Sequence, residues 1–166
     1  MKEMTKANLS AAFAGESQAH MKYMAFADQA EREGLANVAR LFRAASYSEQ
    51  MHATAHLRAL GGINATVKNL EAAQGGENFE IDEMYPAYVS VANLQEERAA
   101  SVSMDRAYQA EKVHAKLYAN AKQSAEAKKD IDLTTIYVCE TCGFTIESAT
   151  PPEKCPVCGS TRFRKF

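Results

Sequence analysis

YSEQMH, residues 47–52, places Glu49 and His52 three positions apart within a stretch of helical periodicity, with Tyr47 and Met51 beside them. Positions i and i+3 share a helix face with Cβ atoms about 5–6 Å apart, so both side chains reach the same object. Taken alone, such a pair more often solvates a surface than holds an ion. The pair recurs at AEKVH, residues 110–114, where Glu111 and His114 repeat it with both members displaced by 62 positions. A single glutamate precedes each pair by one helix: Glu16 lies 33 positions before Glu49, and Glu77 lies 34 before Glu111. In an antiparallel helix hairpin, residues at one axial height are equidistant from the turn. The midpoint of Glu16 and Glu49 falls at 32–33, beside Gly34, and that of Glu77 and Glu111 falls at 94, in NLQE.

Around these residues the apolar positions recur at helical spacing. A first helix is expected from about Thr5 to Glu33, where Leu9, Phe13, Ala19, Tyr23, Phe26 and Ala30 repeat and Gly34 is the stop. A second runs from about Asn37 to Leu60 and ends at Gly61-Gly62. The third starts near Thr66 and reaches about Ala92 only by tolerating Gly75-Gly76 and Pro86, which weaken its regularity. The fourth spans about Glu96 to Ala127. Four helices on short connectors make an all-α four-helix bundle over residues 1–130.

Four inward carboxylates cannot gather in a bundle as bare anions, because each unpaired buried charge costs several kcal/mol. Cations must neutralise them. One Glu from each of two helices plus Glu-x-x-His from each of the other two is the donor set by which ferritin-like di-iron and di-manganese proteins are already known, and here it is matched to that class. Glu80, one turn beyond Glu77, is a seventh candidate ligand on the same face, whereas Asp82 and Glu83 point elsewhere by phase. His20 and His56, each four residues past a candidate ligand, are expected to support a ligand or face solvent, and Met21, Met24, Met51, Met84 and Met104 to fill the core.

After Asp130 the composition gains aromatic, β-branched, Pro and Gly residues and loses helical periodicity, so residues 131–166 form a second, loop-and-hairpin domain. So short a segment needs a staple. All four cysteines lie here: Cys139-x-x-Cys142, twelve residues, then Cys155-x-x-Cys158, two knuckles that close a tetrahedral S4 site. Zinc makes such a domain a structural or binding module, and iron makes it an electron carrier. Tyr137, Phe144 and Phe163 favour iron by drying the sulfurs, and serve equally as a tiny core.

The charge balance, Lys+Arg 19 against Asp+Glu 21, provides no basic field for nucleic acid or an anionic membrane. No apolar window approaches a membrane span, and the first residues carry no export signal, so a cytoplasmic protein is expected.

FAGESQAH (13–20), YSEQMH (47–52), GENFEIDEMYP (76–86), AEKVH (110–114), YVCETCGF (137–144) and EKCPVCGS (153–160) together resemble the rubrerythrin family, in order and spacing, across essentially the whole chain. The resemblance implies a non-haem di-iron peroxidase that reduces hydrogen peroxide to water, holding two iron ions in a ferritin-like bundle and a third in a rubredoxin-like Fe(Cys)4 domain. It implies that Glu49 and Glu111 bridge the irons, Glu16 and Glu77 are terminal ligands, and His114 binds one iron. Glu80 and His52 would exchange at the other with redox state, and Tyr23 and Tyr85 would hydrogen-bond ligand carboxylates. Electrons would come from an NAD(P)H-linked rubredoxin reductase, directly or through free rubredoxin, and pass from the cysteine site to the di-iron site of the partner subunit in a head-to-tail homodimer.

One feature departs from ferritin-like proteins, which join helices two and three by a long crossover: only GGINAT, residues 61–66, is available here. A swapped dimer is therefore expected, each di-iron site mixing Glu16, Glu49 and His52 of one chain with Glu77, Glu80, Glu111 and His114 of the other. Two other functions compete: iron oxidation and storage on the same bundle, which needs no inward electron supply, and an interaction protein with a zinc ribbon.

Overall fold

A computed structural model describes residues 1–166. The chain forms two compact units, Met1–Asn64 and Ala65–Phe166.

The first unit is a helix pair, α1 (Glu3–Arg32) and α2 (Ala36–Ala59). Its turn follows from Gly34, whose φ of 78° lets the Gly34 and Leu35 N–H groups bond back to the carbonyls of Glu31 and Ala30. The interface is lined by small residues: Ala27 and Ala30 on α1 are buried against Ala39, Ser46 and Ala53, which repeat every seven positions on α2. Ser46 Oγ donates to the His20 carbonyl at 2.9 Å, and His20 Nδ1 sits 2.9 Å from that hydroxyl, clasping the two helices. Met21, Met24 and Met51, expected in a core, are exposed instead, as are Phe26 and Leu41. A two-helix unit buries one stripe per helix, and here that stripe is alanine and serine.

The second unit begins with α3 (Thr66–Phe79), which continues through a π-helical turn, Glu80–Met84, into α4 (Tyr85–Leu94). The third helix thus runs unbroken past Gly75, Gly76 and Pro86, and the irregularity expected of it takes the form of a wider turn. Pro86 has no N–H to give to the carbonyl four residues back, and its ring crowds that carbonyl. The backbone widens instead, and the Tyr85 N–H donates to Glu80 O, five residues back. The next turn lies at Gln95–Glu97, where Glu96 takes a φ of 58° without being glycine. α5 (Arg98–Glu126) then returns along α3 and α4.

A three-stranded antiparallel sheet follows, ordered β2-β1-β3, from β1 (Thr135–Cys139), β2 (Thr145–Ser148) and β3 (Phe163–Lys165). β1 ends in the first cysteine knuckle, and β2 packs on α5. No helix is long and apolar enough to cross a membrane.

Candidate metal centres

Each unit carries one Glu, Glu, His triad. In the first, Glu16 on α1 meets Glu49 and His52 on α2, with one ligand atom of each within 4.8 Å of the others. His52 Nδ1 lies 2.9 Å from Glu49 Oε2, as the i,i+3 spacing predicts. Tyr23, seven residues past Glu16, packs its ring against Phe26 and Phe42.

In the second unit, Glu77 on α3 meets Glu111 and His114 on α5 within the same 4.8 Å. His114 Nδ1 is 2.7 Å from Glu111 Oε2 and 3.9 Å from Glu77 Oε1. Glu80 opens the π-helical turn and stands outside the close triad, yet burial, followed by the charge of Glu111, raises its carboxyl above the usual range. Asp82 and Glu83 are exposed, in keeping with their phase. Burial and the charges of Glu80, Glu111 and Glu77 also raise the Tyr85 phenol, which therefore keeps its proton and its capacity to donate. Tyr118 behaves alike through burial, Glu77 and Glu111. Its place in the site was readable in the sequence, because Glu111, His114 and Tyr118 share a face at i, i+3 and i+7. Thr145 was not readable: its Oγ1 comes from another element to lie 2.7 Å from His114 Nε2.

Carboxylates crowded this way fit cations. Burial, then the charge of Glu111, raises Glu77 to about 7, with His114 opposing. Without metal, the folded chain therefore holds a proton on Glu77 between the ordinary carboxyl value of 4.5 and about 7, while the unfolded chain does not. Folding is then favoured at the acid end of that window and loses this contribution as pH rises through it. The metal-free protein is expected to melt a few degrees lower at pH 8 than at pH 5, and Glu77→Gln to flatten the difference. Equal melting temperatures across that range in the unsubstituted protein contradict the crowding.

The four cysteines converge at the tips of two similar knuckles. Gly143 and Gly159, with φ of 78° and 73°, return their N–H groups to the carbonyls of Cys139 and Cys155. The sulfurs of Cys139 and Cys158 are 3.5 Å apart, and those of Cys142 and Cys155 3.6 Å. A tetrahedral ion with metal–sulfur bonds of about 2.3 Å needs sulfur–sulfur edges of about 3.8 Å, close to this spacing. Burial opposes ionisation of Cys139, but the backbone N–H groups of Thr141 and Cys142 and bonds from Cys158 and Cys142 outweigh it and lower the thiol to about 6. Burial pushes Cys142 up to about 12, and its sulfur neighbours add to the rise. The thiols thus cannot all ionise without a cation among them, so donor type, spacing and electrostatics all suit one bound ion.

Comparison with known proteins bears on both centres. A family model described as rubrerythrin matches residues 7–122, and one described as the rubrerythrin rubredoxin-like domain matches residues 137–164. Rubrerythrin-2 of Clostridium acetobutylicum is 39% identical over 179 residues, covering 98% of this chain and 97% of that protein. Nigerythrin of Nitratidesulfovibrio vulgaris is 34% identical over 168 residues, covering 93% and 81%. Among solved structures, fully reduced, all-ferrous nigerythrin superposes with a TM-score of 0.56 at 31% identity, over 98% of this chain and 86% of that one.

Proposed function

Because this chain belongs to the rubrerythrin family, we propose that it is a non-haem di-iron peroxidase that reduces hydrogen peroxide to water with electrons relayed from its cysteine-bound iron. The family is one of metal-binding oxidoreductases with a di-iron site and a rubredoxin-like Fe(Cys)4 site, and the ferritin-like fold class with a small C-terminal strand region holds for this chain. Residues 1–130 are assigned to the di-iron domain and residues 131–166 to the iron–cysteine domain.

Glu49 and Glu111 are assigned as bridging ligands, Glu16 and Glu77 as terminal ligands, and His114 as a ligand to one iron. Glu80 and His52 would exchange at the other, and Glu80, with its carboxyl raised by burial and the charge of Glu111, stands at the start of the π-helical turn. Tyr23 and Tyr85 donate to ligand carboxylates. When bound, the two irons supply both electrons for H2O2 + 2 H⁺ + 2 e⁻ → 2 H2O, and the Fe(Cys)4 site restores them singly. The electrons originate from an NAD(P)H-dependent rubredoxin reductase, directly or through rubredoxin, in the cytoplasm.

We place the active form in a swapped homodimer, the first unit of one chain completing the site of the other's second unit. Six residues, Leu60–Ala65, separate α2 from α3, a reach of about 20 Å at full extension against about 36 Å for the length of α2. The exposed Leu35, Val38, Leu41 and Met51 on the first unit, and Tyr88, Val91 and Leu94 on α4, also suit burial by a second chain.

The observation that carries the peroxidase reading is the pairing, in one chain, of Glu-x-x-His triads with a four-sulfur cluster. Anaerobic protein loaded with iron and reduced by dithionite is expected to regain its red ferric-thiolate colour on titration with peroxide, one peroxide consuming two electrons. Slow reaction with peroxide but rapid mineral formation under oxygen favours iron storage, and a colourless cysteine site means zinc and no relay.

A further inference from the structure

Thr145 opens β2, is 5% exposed, and brings its hydroxyl to His114 Nε2. The hydroxyl proton has its own destination, the Gly143 carbonyl at 3.4 Å, in the turn that follows Cys142. A hydroxyl that donates there offers its lone pair to the imidazole, an arrangement that suits a proton on Nε2. Nδ1 faces Glu111 and Glu77, the side a cation would occupy. His52, the corresponding histidine of the first unit, has no such support: its side chain is 55% exposed and its hydrogen bond is to Glu49 alone. Both ring nitrogens of His114 have partners within the chain, and only Nδ1 of His52 does. An apolar cleft of about 450 Å³, lined by Leu70, Leu117, Leu133, Val138 and Phe166 among others, adjoins the Thr145–His114 contact.

We propose that Thr145 is a positioning residue: its hydroxyl holds His114 as the Nε2–H tautomer with Nδ1 presented to the metal, and binds the chain's own cysteine hairpin to the centre on α3 and α5. This deepens the di-iron reading and rests on it for what Nδ1 ligates. It also suits the assignment of His114 as the fixed histidine and His52 as the exchangeable one. Cys142 and Thr145 are three residues apart, so one short backbone stretch and one hydrogen bond join the cysteine cluster to His114 of the same chain, whereas the family resemblance implied a relay to the partner subunit's site.

The test compares full-length Thr145→Val, which keeps the shape without the hydroxyl, with Thr145→Ser, which keeps the hydroxyl. Retained ferric-thiolate absorption in the iron-loaded variants certifies that the cysteine hairpin is folded. In zinc-substituted, ¹⁵N-histidine-labelled protein, a slowly exchanging Nε2–H resonance, assigned by its loss in His114→Gln, is expected in the unsubstituted chain and in Thr145→Ser. It should exchange at least ~10-fold faster in Thr145→Val. Mn(II), followed by EPR, should bind Thr145→Val about 10–100-fold more weakly, the usual cost of losing the hydrogen bond behind a metal-bound histidine, and Thr145→Ser nearly normally. Unchanged Mn(II) affinity and exchange in Thr145→Val overturns the proposal, and so does equal weakening in both variants, which indicates packing alone. If the unsubstituted protein binds no Mn(II), it is the di-iron reading that fails, and the exchange measurement alone decides the role of Thr145.

Discussion

Glu49→Ala and Glu111→Ala are each expected to lower kcat/KM for peroxide by at least ~100-fold, since even the outer partners of a metal ligand are worth about 10–100-fold. Each variant is also expected to fail to retain two irons. The loss is steep because these two glutamates are assigned the bridging role, so neither iron keeps its partner when one is removed. Stability moves the other way. Glu111 is among the charges that raise Glu77, so truncating it relieves repulsion, and the metal-free Glu111→Ala protein is expected to melt no lower than its parent. Activity lost while metal-free stability is kept would mark the site as functional.

The same two variants decide how the sites are assembled. In a swapped dimer of one Glu49→Ala chain and one Glu111→Ala chain, one site receives both lesions and the other receives none. Mixed dimers isolated through two different affinity tags should then recover about half of the original activity, although each parent is inactive. Sites completed within a single chain would each carry one lesion, and no activity would return. That outcome removes the swap and leaves the di-iron reading standing, whereas two irons retained by Glu49→Ala would remove the reading itself.

The recurrence of Glu-x-x-His and the midpoint arithmetic were enough to anticipate both turns: the chain reverses at Gly34 and at Gln95–Glu97. Both are local consequences of helix geometry, which a linear sequence carries well. Glu96 shows where that reasoning stops, because a positive φ at a glutamate leaves no glycine to announce it. The π-helical turn at Glu80–Met84 was visible only as a conflict between helical periodicity and Pro86, and the sequence does not say whether the helix breaks or widens. The exposed methionines were misjudged because periodicity identifies apolar faces without saying which of them a partner must cover. Thr145 was invisible for a further reason. Its hydrogen bond to His114 spans 31 positions and depends on how a sheet packs on a helix, a relation with no periodicity to read.

Replacing Cys155 by serine is expected to melt the sheet of β1, β2 and β3 while leaving the helices in place. The buried residues of this region are Tyr137, Cys139, Thr145 and Cys155, so two of its four core positions are candidate metal ligands. A segment this small, below about 40 residues, rarely buries enough apolar surface to fold unaided. Binding of a structural metal by small cysteine-rich domains is worth about 10–16 kcal/mol, far more than three strands of 5, 4 and 3 residues can supply by pairing. In Cys155→Ser, or after chelation of the parent, far-UV helicity should persist while hydrogen exchange of the β1 amides becomes fast and the red absorption disappears. Protection of β1 surviving without metal would mean that Tyr137 and the strand ladder suffice, and the staple is unnecessary. Loss of the sheet also releases Thr145 from His114. Cys155→Ser should therefore reproduce the faster Nε2–H exchange and weaker Mn(II) binding of Thr145→Val, with no substitution made near α5, if the cysteine domain supports the di-iron centre through that hydroxyl.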